Sequence, residues 1–295
     1  MRHGIITKVL GGFYYVSDET GTVFTCKLRG KLKRRSEGVL VGDRVSFQII
    51  SGGEGVVEDI LPRRNSLFRP KIANVDQGLI IMAAQDPDPD FLLLDRLLLL
   101  MQKAGIRPAI CLNKTDLLPA GSPIYEQFAF YEQAGFPLVF ASAETGRGRE
   151  TLKEWLCGKI TVLAGPSGAG KSSTLNLQNA ELALETGSVS EKLGRGRHTT
   201  RCVELLQLDG GWVADTPGFS RLDLPTDLQA EELGQWYPEF RPYAAACYYD
   251  GCRHDREPDC GVKAALAEGK ISAARYERYL ILLRELMELR EKEYK

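Results

Sequence analysis

Residues 165–172 read Gly-Pro-Ser-Gly-Ala-Gly-Lys-Ser, the G-x-x-x-x-G-K-S pattern of a phosphate-binding loop. The glycines let backbone N–H groups turn inward around phosphate oxygens, and the N-terminus of a following helix adds its dipole. Lys171 would neutralise the β- and γ-phosphates, and the Ser172 hydroxyl would sit on Mg²⁺. Nucleotide contacts are expected from Gly165, Pro166, Ser167, Gly168, Ala169, Gly170, Lys171, Ser172 and Ser173. A Gly-rich turn that binds nothing is the bland alternative. The setting argues against it, because 159–164 reads as a short buried strand and 173–179 as the start of a helix.

Three other loops carry matching chemistry. Asn113-Lys114-Thr115-Asp116 has the N-K-x-D form. In guanine-nucleotide-binding proteins the Asp carboxylate accepts from guanine N1–H and the 2-amino group, donors that adenine lacks, and leaving such partners unpaired is costly. Alone it is equally an ordinary strand-to-helix turn. Ser142-Ala143-Glu144 follows the next strand, where a loop supporting guanine would fall. Asp215-Thr216-Pro217-Gly218 has the D-x-x-G form, which would place Asp215 near Mg²⁺ and offer the Gly218 N–H to the γ-phosphate. Between phosphate loop and D-x-x-G lies Gly194-Arg195-Gly196-Arg197-His198-Thr199-Thr200, in which Thr199 or Thr200 is the natural Mg²⁺-contacting threonine. Lys171, Thr199, Thr200 and His198 are therefore the candidate catalytic residues. Ras-type enzymes place a water-orienting Gln just after D-x-x-G; here Phe219 stands there and cannot orient water by hydrogen bonding. His198 is the nearest replacement in sequence, or else a loop residue that meets RNA or solvent. Arg195 and Arg197 could stabilise developing charge or bind a phosphate backbone.

A second chemistry sits near the C-terminus. Cys247-x₄-Cys252-x-His254-x₅-Cys260 supplies three thiolates and one imidazole, the Cys₃His set of tetrahedral Zn²⁺. Four protein ligands close the shell, so the zinc would be structural rather than catalytic; the alternative is a set of free thiols. Seven cysteines, an odd number with three of them bunched near one histidine, favour a reducing compartment over a disulfide framework. Cys26, Cys111, Cys157 and Cys202 lie in apolar or strand-like settings and read as packing residues.

The elements that must position these groups fall into three stretches. A chain of 295 residues exceeds one small core. Residues 1–66 show about five short β-rich runs, at 4–9, 13–17, 22–28, 45–50 and 55–60, separated by turn signals, as in a small barrel. This stretch nets +4 in a chain that nets -1. Lys27, Arg29, Lys31, Lys33, Arg34 and Arg35 form a run without an acid, which suits a nucleic-acid backbone or is simply a solvated loop. No aromatic interleaves it, so base stacking there is not expected. From residue 75 buried strands alternate with helices: strands at 75–84, 107–112 and 137–141, helices at 91–103 and 124–134. This implies a mostly parallel sheet covered on both faces, with ligands at the C-terminal ends of its strands. Residues 231–236, 262–268 and 272–292 read as helices around the Cys/His cluster. The longest apolar run, 91–101, is interrupted by Asp95 and Arg96, so no membrane span is expected. The N-terminus shows no signal-peptide pattern, and a cytoplasmic location is expected.

The order of the loops is unusual: guanine motif, then phosphate loop, then D-x-x-G. In these motifs the chain resembles the circularly permuted GTPases. With the basic barrel and the Cys/His cluster it resembles, over essentially its full length, the ribosome small-subunit-dependent GTPase A (RsgA) family, assembly factors of the bacterial 30S subunit. The resemblance implies a multidomain α/β protein: an OB-like β-barrel over 1–66, a circularly permuted P-loop GTPase domain over 67–225, and a zinc-binding, mostly helical domain over 226–295. It also implies GTP hydrolysis to GDP and phosphate with Mg²⁺, stimulation by the 30S subunit, contact with 16S rRNA, one structural zinc and a monomer. Two other readings stay open: a P-loop ATPase or kinase, against which Asn113 to Asp116 argues, and a nucleotide-gated rRNA-binding protein whose hydrolysis is incidental, as Phe219 permits. Rotation of the motifs ties D-x-x-G covalently to the C-terminal unit, so a γ-phosphate that orders it would also reposition that unit.

Overall fold

The structure is a computed structural model. It describes residues 1–30, 32, 38–67, 71–178, 203–215, 224–225 and 227–293, with the side chains of 51, 215, 292 and 293 outside the description.

Strands β1 (Arg2–Leu10), β2 (Phe13–Asp18), β3 (Val23–Leu28), β4 (Arg44–Ser51) and β5 (Glu54–Ile60) close into a barrel in the order β1-β2-β3-β5-β4. The alternation along β3 shows why. Phe24, Cys26 and Leu28 point into the core while Val23, Thr25 and Lys27 do not. Ile6, Val16, Val45, Phe47 and Val57 complete the interior, and the Phe24 and Phe47 rings meet at 5.4 Å. Burying each such side chain stabilises by about 1.5–3 kcal/mol, and closure leaves no open edge. Two short strands, β6 (Ser66–Leu67) and β7 (Ile72–Ala73), lie in the connection that follows. That connection is strapped back onto the barrel. Arg63 Nε donates to Asp43 Oδ1 at 2.7 Å, and Asn74 Nδ2 to the Gly42 carbonyl at 3.0 Å.

The central sheet runs β10-β9-β8-β11-β13-β12. Its strands are β8 (Gln77–Ala83), β9 (Arg107–Asn113), β10 (Leu138–Phe140), β11 (Ile160–Ala164), β12 (Leu205–Leu208) and β13 (Gly211–Asp215). All neighbours are parallel except β12 on β13. The continuous apolar run of β8 has a simple cause: both faces are covered. Ile80 and Met82 join the core beneath α1 (Phe91–Lys103) and α2 (Pro123–Gln133). Leu79 and Ile81 join the core beneath α3 (Arg149–Leu156) and α4 (Lys171–Gln178). The antiparallel edge strand β12 and helix α3 were not anticipated from sequence. Strand β12 is covered by the barrel, with Lys8 bridging Glu204 and its Nζ 2.7 Å from Glu204 Oε2.

The C-terminal unit comprises two 3₁₀ turns, Ala230–Trp236 and Pro238–Phe240, then α5 (Arg241–Ala244), α6 (Gly261–Ala267) and α7 (Ala273–Glu293). The first stretch is 3₁₀ rather than α, held by a capping box between Gln229 and Glu232 and stopped before Pro238. Its core of Leu233, Tyr237, Phe240, Val262, Tyr279, Leu282 and Leu286 also takes in Leu99 from α1. Helix α1 is apolar nearly all round because one side faces the sheet and the other this unit. Asp90 caps its start by accepting from the Leu93 N–H at 2.9 Å. Among the described residues no helix is long and apolar enough to cross a membrane.

Candidate functional site

Because β8, β9, β10, β11 and β13 are parallel, their C-terminal ends share one edge of the sheet. Asn113 ends β9, Ser142 and Ala143 follow β10, the phosphate loop follows β11, and Asp215 ends β13. The loops expected to bind one nucleotide are therefore neighbours in space.

The phosphate loop is tightly seated. Gly165 has φ +129°, and a Cβ there would lie 2.0 Å from the Ile81 carbonyl oxygen. Gly170 has φ +87°, and a Cβ would lie 2.2 Å from Asn113 Nδ2. Only glycine fits either position. Asn113 is 1% exposed, and its Nδ2 donates to the Ala169 carbonyl at 3.0 Å. One hydrogen bond thus joins the base loop to the phosphate loop, 56 residues apart. Lys171 Nζ donates to the carbonyls of Gly165 and Pro166 at 3.0 and 2.9 Å, which draws the cation across the loop. Ser172 is buried at the start of α4, and Thr174 Oγ1 donates to the Gly170 carbonyl at 2.9 Å.

The base side is equally ordered. Thr115 donates its N–H and hydroxyl to the Ala141 carbonyl at 3.1 and 2.9 Å, pinning this loop to the end of β10. Lys114 is left-handed (φ 61°), and its Nζ donates to the Asp86 carbonyl. Asp116 is exposed and has no partner among the described residues. Ser142 is fully buried and accepts the Thr145 N–H at 3.1 Å, so it shapes its own loop. The turn after β8 carries no motif of its own. It lies between the two motif strands, its Asp86 holding Lys114 and its Pro87 Cδ 3.3 Å from where a Gly168 Cβ would be. Strand order places it there, and no local motif marks it.

This loop set fits a magnesium–nucleotide. The glycine cradle has no room for side chains, Asn113 Oδ1 is buried and unpartnered, and Ser172 stands at a helix start beside Lys171. His198, Thr199, Thr200 and Gly218 lie outside the described residues, as do Arg195, Arg197 and Phe219; of Asp215 only the backbone is described.

Cys247, Cys252, His254 and Cys260 come together, with their ligand atoms all within 4.8 Å of one another. His254 turns Nδ1 inward, 3.6 Å from Cys247 Sγ and 3.4 Å from Cys260 Sγ. The Phe240 ring packs edge-on to the imidazole at 5.7 Å, and Tyr279 donates to the Arg253 carbonyl at 2.6 Å. Cys260 caps α6 and accepts the Lys263 N–H. Three sulfurs and one nitrogen at mutual van der Waals distance suit one tetrahedral soft cation. Burial lowers the His254 pKa, which keeps the imidazole neutral as a ligand must be. Of the other cysteines, burial pushes Cys26 up to about 11 and Cys111 up to about 12, as inert packing residues. Cys157 differs from expectation and is exposed at the end of α3, and Cys202 lies outside the described residues.

In the basic run, Lys27 and Arg29 are described, and Lys31, Lys33, Arg34 and Arg35 are not. Arg29 pairs with Glu58. Lys27 Nζ stands 5.4 Å from the centroid of the Phe13 ring on the neighbouring strand β2. No aromatic interleaves the run itself, but cross-strand pairing sets Phe13 beside its first lysine.

Comparison with known proteins agrees with this geometry. The RsgA GTPase family model matches residues 60–225, and the RsgA N-terminal domain model matches residues 3–57. A small ribosomal subunit biogenesis GTPase RsgA of Moorella thermoacetica is 48% identical over 288 residues, covering 96% of this chain and 97% of that protein. The crystal structure of YjeQ from Thermotoga maritima superposes with a TM-score of 0.84 at 38% identity, covering 97% of this chain and 98% of the other. That of YloQ, a circularly permuted GTPase, superposes with a TM-score of 0.82 at 36% identity over 98% and 96%. The rotated loop order thus has counterparts that share both sequence and architecture from end to end, and this chain belongs to the RsgA GTPase family.

Proposed function

We propose that this protein binds GTP with Mg²⁺, hydrolyses it to GDP and phosphate, and uses that cycle in maturation of the small ribosomal subunit. The observation that carries the reading is the Asn113–Ala169 bond, which sets an N-K-x-D base loop and a phosphate loop as one cradle at the C-terminal edge of a parallel sheet. In this reading Lys114, Thr115, Asp116, Ser142 and Ala143 hold the base side, and 165–173 hold the phosphates. Lys171 neutralises phosphate charge. Ser172, Asp215, and Thr199 or Thr200 hold Mg²⁺, which supplies charge stabilisation to the leaving diphosphate when bound. His198 orients the attacking water, because Phe219 has no group to do so. Cys247, Cys252, His254 and Cys260 hold one structural Zn²⁺ that fixes the C-terminal unit for docking on the subunit. The barrel and its basic run meet 16S rRNA. The protein works as a monomer in the cytoplasm.

The test is GTP hydrolysis with and without purified 30S subunits at fixed Mg²⁺, with Lys171→Ala and His198→Ala in parallel. Stimulation by 30S that disappears in both variants supports the whole reading. Stimulation that survives His198→Ala moves the water-orienting role to another group. Normal GTP binding without stimulation favours a nucleotide-gated RNA-binding protein instead.

A further inference from the structure

At the edge of the sheet opposite the phosphate loop, a groove of about 620 Å³ opens where the connection from the barrel, α1 and the starts of three strands converge. Arg64 reaches it from the connection, Lys103 from the end of α1, Arg107 from the start of β9, and Lys159 from the residue before β11. Strand β8 runs between β9 and β11, and its Gln77 is in register with Arg107. Arg107 and Lys159 therefore stand on either side of Gln77; Thr161 is the β11 residue in register with Gln77, about 10 Å and two strand spacings from Arg107, and Lys159 precedes it by two residues.

The charge of this groove is not balanced. Arg64 pairs with Asp76 at 2.8 Å. Lys103 pairs with Asp227 at 2.9 Å, and that carboxylate is itself 77% exposed. Lys159 Nζ donates only to the neutral Gln77 amide oxygen, at 3.2 Å. Arg107 is exposed and has no anionic partner among the described residues. Four cations from four separate elements thus face two carboxylates, in a chain whose formal net charge is -1. A concave surface of one sign focuses its field and raises the local concentration of opposite charge. The groove is not enclosed and carries charged side chains on its rim, so it suits an extended polyanion.

We propose that this groove is a docking surface for the phosphodiester backbone of RNA, separate from the nucleotide site and from the Phe13–Lys27 face of the barrel. The choice of RNA as the polyanion rests on the ribosomal reading above; the charge geometry does not. Arg107 and Lys159, the two cations without an acid, carry the contact, Lys103 exchanges its exposed Asp227 carboxylate for a phosphate, and Arg64, itself 54% exposed, adds its charge while staying paired with Asp76.

The test measures binding of the full chain to purified 30S subunits and to a labelled RNA oligonucleotide across a salt series. Wild type is compared with Arg107→Glu/Lys159→Glu and with the milder Arg107→Gln/Lys159→Gln. GTP affinity and zinc content serve as checks of the fold. The charge-reversed protein should bind both RNAs about tenfold or more weakly near physiological salt, with a salt slope shallower by about 1.5 if two phosphate contacts are lost. The Gln pair should fall between, and GTP affinity should not change. Equal affinity and slope in all three proteins overturns the groove while 30S binding by wild type keeps the ribosomal reading. Groove-dependent binding to the oligonucleotide without binding to 30S keeps the groove and sinks that reading. Wild type that binds neither RNA overturns both.

Discussion

Asp95 on α1 and Arg275 on α7 form an ion pair across the junction between the nucleotide unit and the C-terminal unit. Their Oδ1 and Nη1 atoms are 2.5 Å apart, with 0% and 4% of the side chains exposed. Arg278 Nε donates to the other carboxylate oxygen at 2.5 Å, and the Tyr131 hydroxyl donates to Oδ1 at 2.8 Å. Glu239 accepts from Arg275, so two cations face two anions. The rings of Tyr131 and Tyr237 flank the Arg275 guanidinium at 4.5 and 5.0 Å. Tyr131 lies on α2, the helix that follows the base loop, and Tyr125 of the same helix donates to the Thr115 carbonyl at 3.4 Å. The C-terminal helix is thereby anchored to the helix that follows the N-K-x-D loop.

Removing one member of this cluster should cost far more than removing all of it. Asp95→Ala leaves the buried Arg275 and the half-buried Arg278 short of an anion and should destabilise the C-terminal unit by about 3–5 kcal/mol. A quadruple variant, Asp95→Leu and Glu239→Leu with Arg275→Met and Arg278→Met, should recover most of that loss. Urea denaturation of the three proteins decides the matter. A loss for Asp95→Ala below about 1 kcal/mol would mean that the pair is solvated in solution.

The Asn113–Ala169 bond should be visible in nucleotide affinity. Asn113→Ala removes a buried hydrogen bond between the two loops, worth about 0.5–1.5 kcal/mol, and should weaken GTP and GDP alike by roughly 2–13-fold. Calorimetry with each nucleotide measures this. A loss confined to GTP would place the effect on the γ-phosphate and not on the shared cradle.

Metal uptake by the Cys/His cluster should release protons. Burial pushes the Cys252 thiol up to about 12 and raises Cys260 as well, while it lowers His254. The Cys252 and Cys260 thiols therefore hold their protons at neutral pH, so loading Zn²⁺ on chelator-stripped protein should release at least those two protons. Protons compete for the same sulfurs, and retention against a chelator should fall as pH falls. Calorimetry in buffers of different ionisation enthalpy counts the protons. Release near zero would exclude thiolate ligation.

The Phe13–Lys27 pair separates two kinds of RNA contact. Loss of a stacking ring costs about 1–3 kcal/mol per base and leaves the salt slope unchanged, whereas loss of a phosphate contact lowers the slope. Phe13→Leu should therefore weaken RNA binding at constant slope, Phe13→Tyr should restore it, and Lys27→Gln should flatten the slope. Salt titrations of labelled RNA check all three. A Phe13→Leu protein with unaltered affinity would remove stacking from the barrel face.

The local parts of the site were legible because their chemistry is local. The glycine spacing of 165–170 answers to steric rules that act within a few residues. The Cys/His spacing gave the ligand set, and the apolar runs gave the buried strands. The Asp86 turn, the antiparallel β12 and the Phe13–Lys27 pair were missed, because each is defined by a neighbour distant in sequence. Asp95 and Arg96 read only as interruptions of an apolar run. Their partners, Arg275, Arg278 and Glu285, lie 180, 183 and 189 residues away.

The amino-acid sequence by itself determined which motifs this protein carries: a glycine-rich G-K-S loop, an N-K-x-D loop, a Cys₃His set that could hold a metal, and their rotated order. Those follow from residue type and short-range geometry. Tertiary structure alone decided how they meet. Strand order brought β8 between the base loop and the phosphate loop, the barrel covered the one antiparallel edge, and α1 was buried on both sides with its charges paired across the junction. These are contacts between segments far apart in the chain, and burial on two faces erases the local periodicity that would have announced them.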